Sequence, residues 1–259
     1  MELLRQNRDH FRHNDQYDFA WHRLVKSSRE GPSWPRARSG HQMIAFDGSI
    51  YLFGGWTGKD DLADFWRYDV TLSKWRLISP DTSKEGGPSP RSCFKMALDR
   101  VEGVIYILGR YVDRRARDTV ADFYSYKIGT NRWCALSADT EGDGGPPLVF
   151  DHQLAFDGRL KLLFSFGGRV VRSTSDVPLE ELRLRGRGNR TVKRYAGLFK
   201  WSAISQKWTQ LTCLPDAQSR AGHGMVINDR LSKLYILGGT RSKVEMNDFI
   251  EIDYITEVS

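Results

Sequence analysis

One short apolar strand that ends in a glycine pair occurs four times in this chain, and this repetition constrains the fold more than any other feature. The copies lie at residues 50–55, 105–110, 163–168 and 234–239, and the second copy has Arg110 in place of its second glycine. Recurrence of one strand at long, near-regular spacing indicates an array of similar units. The repeat therefore overrides the two domains that a length of 259 residues would suggest.

Each copy belongs to a longer pattern that predicts four antiparallel strands. In the first unit, an apolar run at 42–46 precedes the repeated strand, and Asp47-Gly48 between them is typical of a tight hairpin. An alternating third strand follows Asp64, and a fourth begins near Trp75. Four such strands with short connections form one blade of a β-propeller, so the sequence predicts an all-β propeller.

The remaining units follow this order with three departures. The third unit has Gly197 where the others have aspartate and a basic insertion at 169–196, and the fourth contains no tryptophan strand. We therefore predict about four four-stranded blades within residues 21–259, forming an incomplete or open propeller, after a polar tail or short helix at 1–20. A strand-like run at 21–25 either pairs with the last blade and closes the ring or leaves a gap.

The repeated side chains are predicted to serve packing. Glycine at the end of a strand permits positive φ and close approach between blades, and the aromatic residues fill the space between them. The aspartate before the third strand is expected to accept hydrogen bonds from buried backbone donors. Each tryptophan is expected to pack the outer strand onto its blade.

The order of these residues resembles a kelch repeat. A glycine pair after an apolar run, an Asp-Phe-x-x-Tyr strand and a later tryptophan carry the resemblance, which spans residues 21–253. Several strings are similar to muskelin-like members in particular: Gly40-His41-Gln42-Met43, Tyr51-Leu52-Phe53-Gly54-Gly55-Trp56, Leu148-Val149-Phe150-Asp151-His152-Gln153 and Asn247-Asp248-Phe249.

The resemblance implies a non-enzymatic scaffold for protein–protein interactions. Muskelin-like proteins carry a discoidin-like domain and LisH and CTLH helices before a propeller of more than four blades, and they belong to the CTLH (GID) ubiquitin ligase complex. A chain of about four repeats without those upstream domains is expected to be a fragment or a shortened form. The partners implied are other proteins, including subunits of that ligase, and no cofactor.

Motifs for catalysis are missing from the sequence. It has no Gly-x-Ser-x-Gly, no Cys-x-x-Cys and no phosphate-binding glycine loop before a helix. His41, His152 and His223 occupy equivalent repeat positions, so a metal-dependent propeller enzyme built on them stays open as an alternative, although Phe94 breaks the series. We predict no enzymatic activity and no metal site.

The loops after the glycine strands are the predicted binding surface, since loops on a rigid scaffold carry function. Exposed aromatic and arginine side chains are typical interface anchors. The candidates for partner binding are Trp56, Lys59, Arg110, Tyr111, Arg169, Arg241 and Lys243.

A basic loop accounts for almost all of the formal charge of +7. It contains Arg183, Arg185, Arg187, Arg190, Lys193 and Arg194 and no acidic residue. Such a loop could bind nucleic acid, which is the alternative function, but it has no interleaved aromatic residues for base stacking. No apolar run approaches the ~18 residues of a membrane helix. We expect no membrane partner and a cytoplasmic location, with the nucleus as a second compartment.

Overall fold

A computed structural model describes residues 24, 34–112, 120–171, 195–211 and 218–255. The chain divides into two compact units, Met1–Pro32 and Ser33–Ser259, and almost all of the first lies outside the described residues. The tail or helix predicted at 1–20 and the strand predicted at 21–25 therefore stay predictions. The six basic residues of the 183–194 loop also lie outside the described residues.

The described part of the second unit is built from four larger antiparallel sheets and two small two-stranded sheets. The first sheet contains β1 (Gln42–Phe46), β2 (Ser49–Phe53), β3 (Phe65–Asp69) and β4 (Lys74–Ser79). The second contains β5 (Lys95–Asp99), β6 (Val104–Leu108), β7 (Phe123–Lys127) and β8 (Arg132–Ser137). The third contains β10 (Gln153–Asp157), β11 (Leu162–Phe166), β13 (Leu198–Ser202) and β14 (Lys207–Leu211). A separate two-stranded sheet pairs β9 (Val149–Phe150) with β12 (Arg169–Val170).

The fourth sheet contains β15 (Gly224–Asn228), β16 (Lys233–Leu237) and β19 (Phe249–Asp253), while β17 (Thr240–Arg241) pairs with β18 (Val244–Glu245). Two 3-10 helices, Thr82–Glu85 and Ile128–Thr130, are the helical turns of the described residues. None of the described helices could cross a membrane. The all-β prediction is confirmed, with three four-stranded blades and one blade of three described strands.

Turn chemistry sets the register of the inner hairpin in the first blade. Phe46 pairs with Ser49 across Asp47 and Gly48, whose φ angles are 45° and 65°. Two successive positive φ angles are the requirement of a type I′ turn, whose twist matches that of the flanking strands. The hairpin predicted from Asp47-Gly48 is therefore confirmed.

The blades stack through the repeated strand. Inner strands β1, β5, β10 and β15 follow one another as packed neighbours, and an apolar cluster fills each of the three junctions. In β6, Ile105 and Ile107 face the first blade, whereas Tyr106 and Leu108 face the third. Successive residues of a strand point to opposite faces, so a strand covered on both faces has a continuous apolar sequence.

The glycine pair lets consecutive blades approach closely. A Cβ atom on Gly54, Gly109 or Gly167 would lie 2.7, 2.4 or 2.3 Å from a backbone oxygen of the next blade, and all three residues have positive φ. The next residue donates its N–H to that same oxygen, at 2.9 Å from Gly55, 3.0 Å from Arg110 and 2.8 Å from Gly168. The packing role predicted for the pair is confirmed.

The aspartate before the third strand binds an arginine side chain. Arg38 pairs with Asp64, Arg91 with Asp122 and Arg220 with Asp248, each through both carboxylate oxygens. Each guanidinium also donates to the carbonyl of the glycine directly after the repeated strand, which is Gly54, Gly109 or Gly238. The aspartates were expected to accept hydrogen bonds mainly from backbone N–H groups, but the main donor is a guanidinium. Its N–H groups can bond both oxygens of a carboxylate at once.

The third blade lacks this pair altogether. Val149 and Gly197 stand where the other blades have arginine and aspartate, and Val149 is fully buried. Losing both partners leaves no uncompensated charge in the interior.

In the first blade, burial alone would raise the pKa of Asp64, but hydrogen bonds from Arg38 and Trp66 outweigh it and lower that pKa.

Candidate functional site

The seven predicted binding residues follow the four glycine strands and therefore lie at one end of the stacked blades. Trp56 is exposed and pairs its backbone with Ser39 and Asp61. Lys59 is exposed in a turn that the Thr57 hydroxyl holds by accepting from the Asp60 N–H at 3.0 Å. No contact described in the structure joins Trp56 or Lys59 to the other five residues.

A second group of residues connects the second blade to the third. Tyr111 is exposed and packs edge to face on Phe150, with ring centroids 5.2 Å apart. The guanidinium carbon of Arg169 lies 5.9 Å from the centroid of the same Phe150 ring, and Arg169 also contacts Asp151 at 3.5 Å. Aromatic and cationic side chains attract one another in this geometry.

The same group continues into the fourth blade. Arg169 forms a backbone bridge with Tyr195, and the guanidinium of Arg241 lies 5.8 Å from the centroid of the Tyr195 ring. The hydroxyl of Tyr195 accepts from the backbone N–H of Ser242 at 2.9 Å. Tyr111, Phe150, Arg169, Tyr195 and Arg241 thus form one connected set across three blades, which we call the aromatic–arginine row.

The remaining two predicted residues lie beside this row. Lys243 is exposed in the turn between β17 and β18, with φ of 72°. Arg110 is half-buried and donates to the hydroxyl of Ser89 at 2.9 Å. Burial, followed by the nearby Arg91, lowers the pKa of Arg110. Among the described contacts, the Arg110 side chain therefore holds the segment at Ser89 in place. Its role in partner binding stays a prediction.

Two members of the row were missed by sequence reasoning. Phe150 stands where the other blades have small residues, Ser39, Ser92 and Ala221, so its size was a detectable departure from the repeat. Tyr195 comes directly after the basic loop in the chain, and a single aromatic residue at that place does not indicate a binding surface. Its contacts with Arg169, Arg241 and Ser242 show that it belongs to the row.

Two of the three equivalent histidines are buried packing residues, whereas His41 is half-buried. His152 and His223 are buried, and both lie against glycines of neighbouring strands. Burial, followed by nearby positive charge, lowers the pKa of His152 to about 3 and that of His223 to about 4, so both rings are neutral at pH 7. Among the described residues, no three His, Cys, Asp or Glu side chains are grouped to hold a metal.

The buried His152 is expected to make the fold sensitive to acid. Because its pKa is about 3 in the folded chain and 6.5 for an ordinary histidine, protons bind the unfolded chain first as the pH falls. Its contribution to stability is complete above about pH 6.5 and is lost towards pH 3, at up to ~1.4 kcal/mol per pH unit. His152→Phe, which copies the equivalent Phe94 of the second blade, should flatten this dependence. Urea unfolding of both proteins between about pH 7.5 and 5 measures it, and parallel pH profiles would contradict the assignment.

Comparison with known proteins agrees with the fold. Residues 6–175 match the KLHDC2/KLHL20/DRC7 Kelch-repeats domain. The chain is similar to Mei4-dependent protein 6 of Schizosaccharomyces pombe, with 31% identity over 217 residues, covering 78% of this chain and 28% of that protein. It is also similar to human Multiple epidermal growth factor-like domains protein 8, with 27% identity over 232 residues, covering 87% of this chain and 7% of that protein.

A third relative is more distant. Leucine-zipper-like transcriptional regulator 1 of Pongo abelii is 24% identical over 265 residues, covering 85% of this chain and 30% of that protein. The chain spans less than a third of the length of each of these relatives. Together with the glycine pairs, the stacked four-stranded blades and the outer tryptophan strands, the domain match shows that this chain belongs to the kelch-repeat family.

Proposed function

We propose that this chain is a protein-interaction scaffold that binds a partner through the aromatic–arginine row. Kelch repeats generally mediate protein–protein interactions without catalysis, and no catalytic family is indicated by the match. The observation that carries the proposal is the row itself, because aromatic and arginine side chains are the groups that most often dominate binding energy.

The row is also prepared for binding. Stacking against Phe150 and Tyr195 restricts the guanidinium groups of Arg169 and Arg241, and the main chain at Ser219 accepts from Arg241 at 2.8 Å. Side chains that are already ordered lose less conformational entropy when a partner binds. The blades beneath hold the loops at fixed spacing, which is how a rigid scaffold presents a binding surface.

The partner that we propose is a ubiquitin ligase of the CTLH type, in which this chain would act as a subunit or a substrate adaptor, as muskelin-like proteins do. The muskelin-like strings around Gly40, Tyr51 and Leu148 support this assignment. It places the chain in the cytoplasm, with the nucleus as a second compartment. The nucleic-acid alternative depends on the 183–194 loop, which lies outside the described residues.

Affinity purification of the full chain from cells tests both parts of the proposal. We expect the wild type to recover core subunits of the ligase and Arg169→Glu/Arg241→Glu to lose them, because two guanidinium groups become carboxylates. Arg230→Glu is the matched control, since Arg230 is exposed at the opposite, hairpin end of the fourth blade. Circular dichroism establishes that all three proteins are folded.

The outcomes separate the two parts. If specific partners bind the wild type and Arg230→Glu but not the double variant, and none belongs to the ligase, the row is correct and the ligase assignment is wrong. If the double variant retains every partner, the row is not the binding surface.

A further inference from the structure

We propose that Ser89 is a phosphorylation site whose phosphate is held by the guanidinium groups of Arg110 and Arg91. Ser89 lies on the segment between β4 and β5, which joins the first blade to the second. Arg110 is the one position of the four glycine pairs that carries a side chain, and the aromatic–arginine row does not use it. The proposal stands whether or not the row binds a partner.

Two guanidinium groups converge on the Ser89 hydroxyl. Its oxygen accepts from Nη1 of Arg110 at 2.9 Å and from Nη2 of Arg91 at 3.2 Å, so both of its lone pairs are used. The Nε atom of Arg110 is buried and has no hydrogen-bond partner among the described residues. The two arginines therefore present more cationic donors at this place than a neutral hydroxyl can accept.

A phosphate on the hydroxyl would give these donors a charged acceptor. It carries about −1.5 to −2 charge at pH 7 and three acceptor oxygens, and arginine can bind two of those oxygens at once. Arg91 already holds Asp122 with hydrogen bonds of 2.9 and 2.8 Å. Arg110 is therefore expected to make most of the phosphate contacts, with Arg91 donating from below.

The other titratable groups near Arg110 are Asp122, Asp61 and Tyr124. Arg91 neutralises Asp122, and none of the described ion pairs joins Arg110 to Asp61. Burial and Arg91 both disfavour the charged form of Arg110, which is why its pKa is lowered. A phosphate beside Arg110 would oppose that shift, because a nearby negative charge favours the charged guanidinium.

The segment around Ser89 is open to a kinase. Ser89 is half-buried, whereas residues 83–86 and Pro90 are exposed. Pro88 and Pro90 have no backbone N–H, and residues 88–90 take part in none of the described hydrogen bonds between main-chain groups. Local opening of this segment therefore breaks few main-chain bonds. A serine directly before a proline is the pattern that proline-directed kinases recognise.

The reaction is a phosphoryl transfer from ATP that is bound to such a kinase. The Ser89 hydroxyl oxygen bonds to the γ-phosphorus, and the bond from that phosphorus to the oxygen shared with the β-phosphate breaks, so ADP leaves. The hydroxyl proton passes to the catalytic aspartate of the kinase.

Ser79 provides a control within the same segment. It is the other serine that a proline follows in this chain, but it is fully buried, and its hydroxyl donates to the Glu85 carboxylate at 2.6 Å. A phosphate on Ser79 would lie against that carboxylate, and like charges repel. Ser79 is therefore expected to stay unmodified.

Kinase treatment of the folded full chain tests the modification. The kinase is a proline-directed one selected because it phosphorylates a synthetic peptide of residues 83–95. After incubation with ATP, tandem mass spectrometry is expected to find phosphate on Ser89, none on Ser79 and none at this segment in Ser89→Ala. A folded chain that stays unmodified at Ser89 overturns the proposal. So does equal phosphorylation of Ser79, which would show that only unfolded chain reacts.

Phosphorus-31 NMR of the phosphorylated chain tests the arginine contacts. The second pKa of phosphoserine, ~6, should fall by about one unit, because nearby guanidinium groups favour the dianion. Arg110→Gln keeps a donor and removes the charge, so it should reverse most of this fall. Arg100→Gln is the matched control, since Arg100 is exposed in the β5–β6 turn at the opposite end of the same blade. A phosphate pKa that stays near ~6, or one that Arg110→Gln does not change, overturns the proposal.

Inorganic phosphate distinguishes a covalent phosphate from a free anion. Added at millimolar concentration to the unmodified chain, it should leave the urea midpoint unchanged, since the Ser89 hydroxyl occupies the place between the two arginines. If it stabilises the wild type but not Arg110→Gln, the arginines bind a free anion and the assignment of Ser89 is wrong.

Discussion

Replacing Arg91 by methionine is expected to destabilise the chain by about 3–5 kcal/mol, because it leaves the carboxylate of Asp122 in a site built for an ion pair. The Arg91 side chain is fully buried, and that of Asp122 is 10% exposed. Two hydrogen bonds of 2.9 and 2.8 Å would be lost together. The midpoint and slope of urea unfolding measure the change in the free energy of unfolding.

The third blade supplies the control for this substitution. Val149 and Gly197 replace the pair there, so Arg91→Val/Asp122→Gly transfers a combination that the same fold already accepts. We expect the double variant to be more stable than Arg91→Met, since removing both partners removes the unpaired charge. A double variant as unstable as the single one would show that packing, rather than charge, dominates this site.

Gly167→Ala is expected to be comparably disruptive, with a loss of about 2–5 kcal/mol. Its Cβ atom would lie 2.3 Å from the backbone oxygen of Arg220, so the third and fourth blades would have to separate. The residue also has φ of 68°, which costs a non-glycine residue about 1–2 kcal/mol by itself. The free energy of unfolding, measured in the same way, gives the sum of the two effects.

Gly238→Ala isolates the steric part of that loss. Gly238 has nearly the same φ, 64°, but an added Cβ atom would meet only the oxygen of Met246 at 3.3 Å. We expect it to cost only the conformational ~1–2 kcal/mol. Equal losses in the two variants would mean that close approach between blades is not what selects glycine at these positions.

Local chemistry explains why much of the fold could be predicted. The apolar strand, the Asp47-Gly48 hairpin and the glycine pairs each depend on residues close together in the chain, and period-two patterns and turn residues report such structure directly. The role expected for the aspartates was only partly right. Arg91 and Asp122 are 31 positions apart, and nothing local in the sequence indicates that they meet.

The repeat nevertheless contained a usable signal for that pair. In the third blade, both partners change together, to Val149 and Gly197, which is the behaviour of two residues in contact. Phe150 was detectable in the same way, as a large residue at a position that is otherwise small. Comparing the four units with one another thus reveals contacts that a single unit conceals.

The sequence by itself determined the class of fold, the number of repeats and the glycine positions, because strand periodicity and positive-φ turns are properties of short segments. Only the tertiary structure decided which loop residues meet. Tyr111, Arg169 and Arg241 belong to different repeats and come together only because the blades stack. Leu108 and Leu237 have the same sequence context, yet Leu108 is buried between the second and third blades, whereas Leu237 is exposed among the described residues.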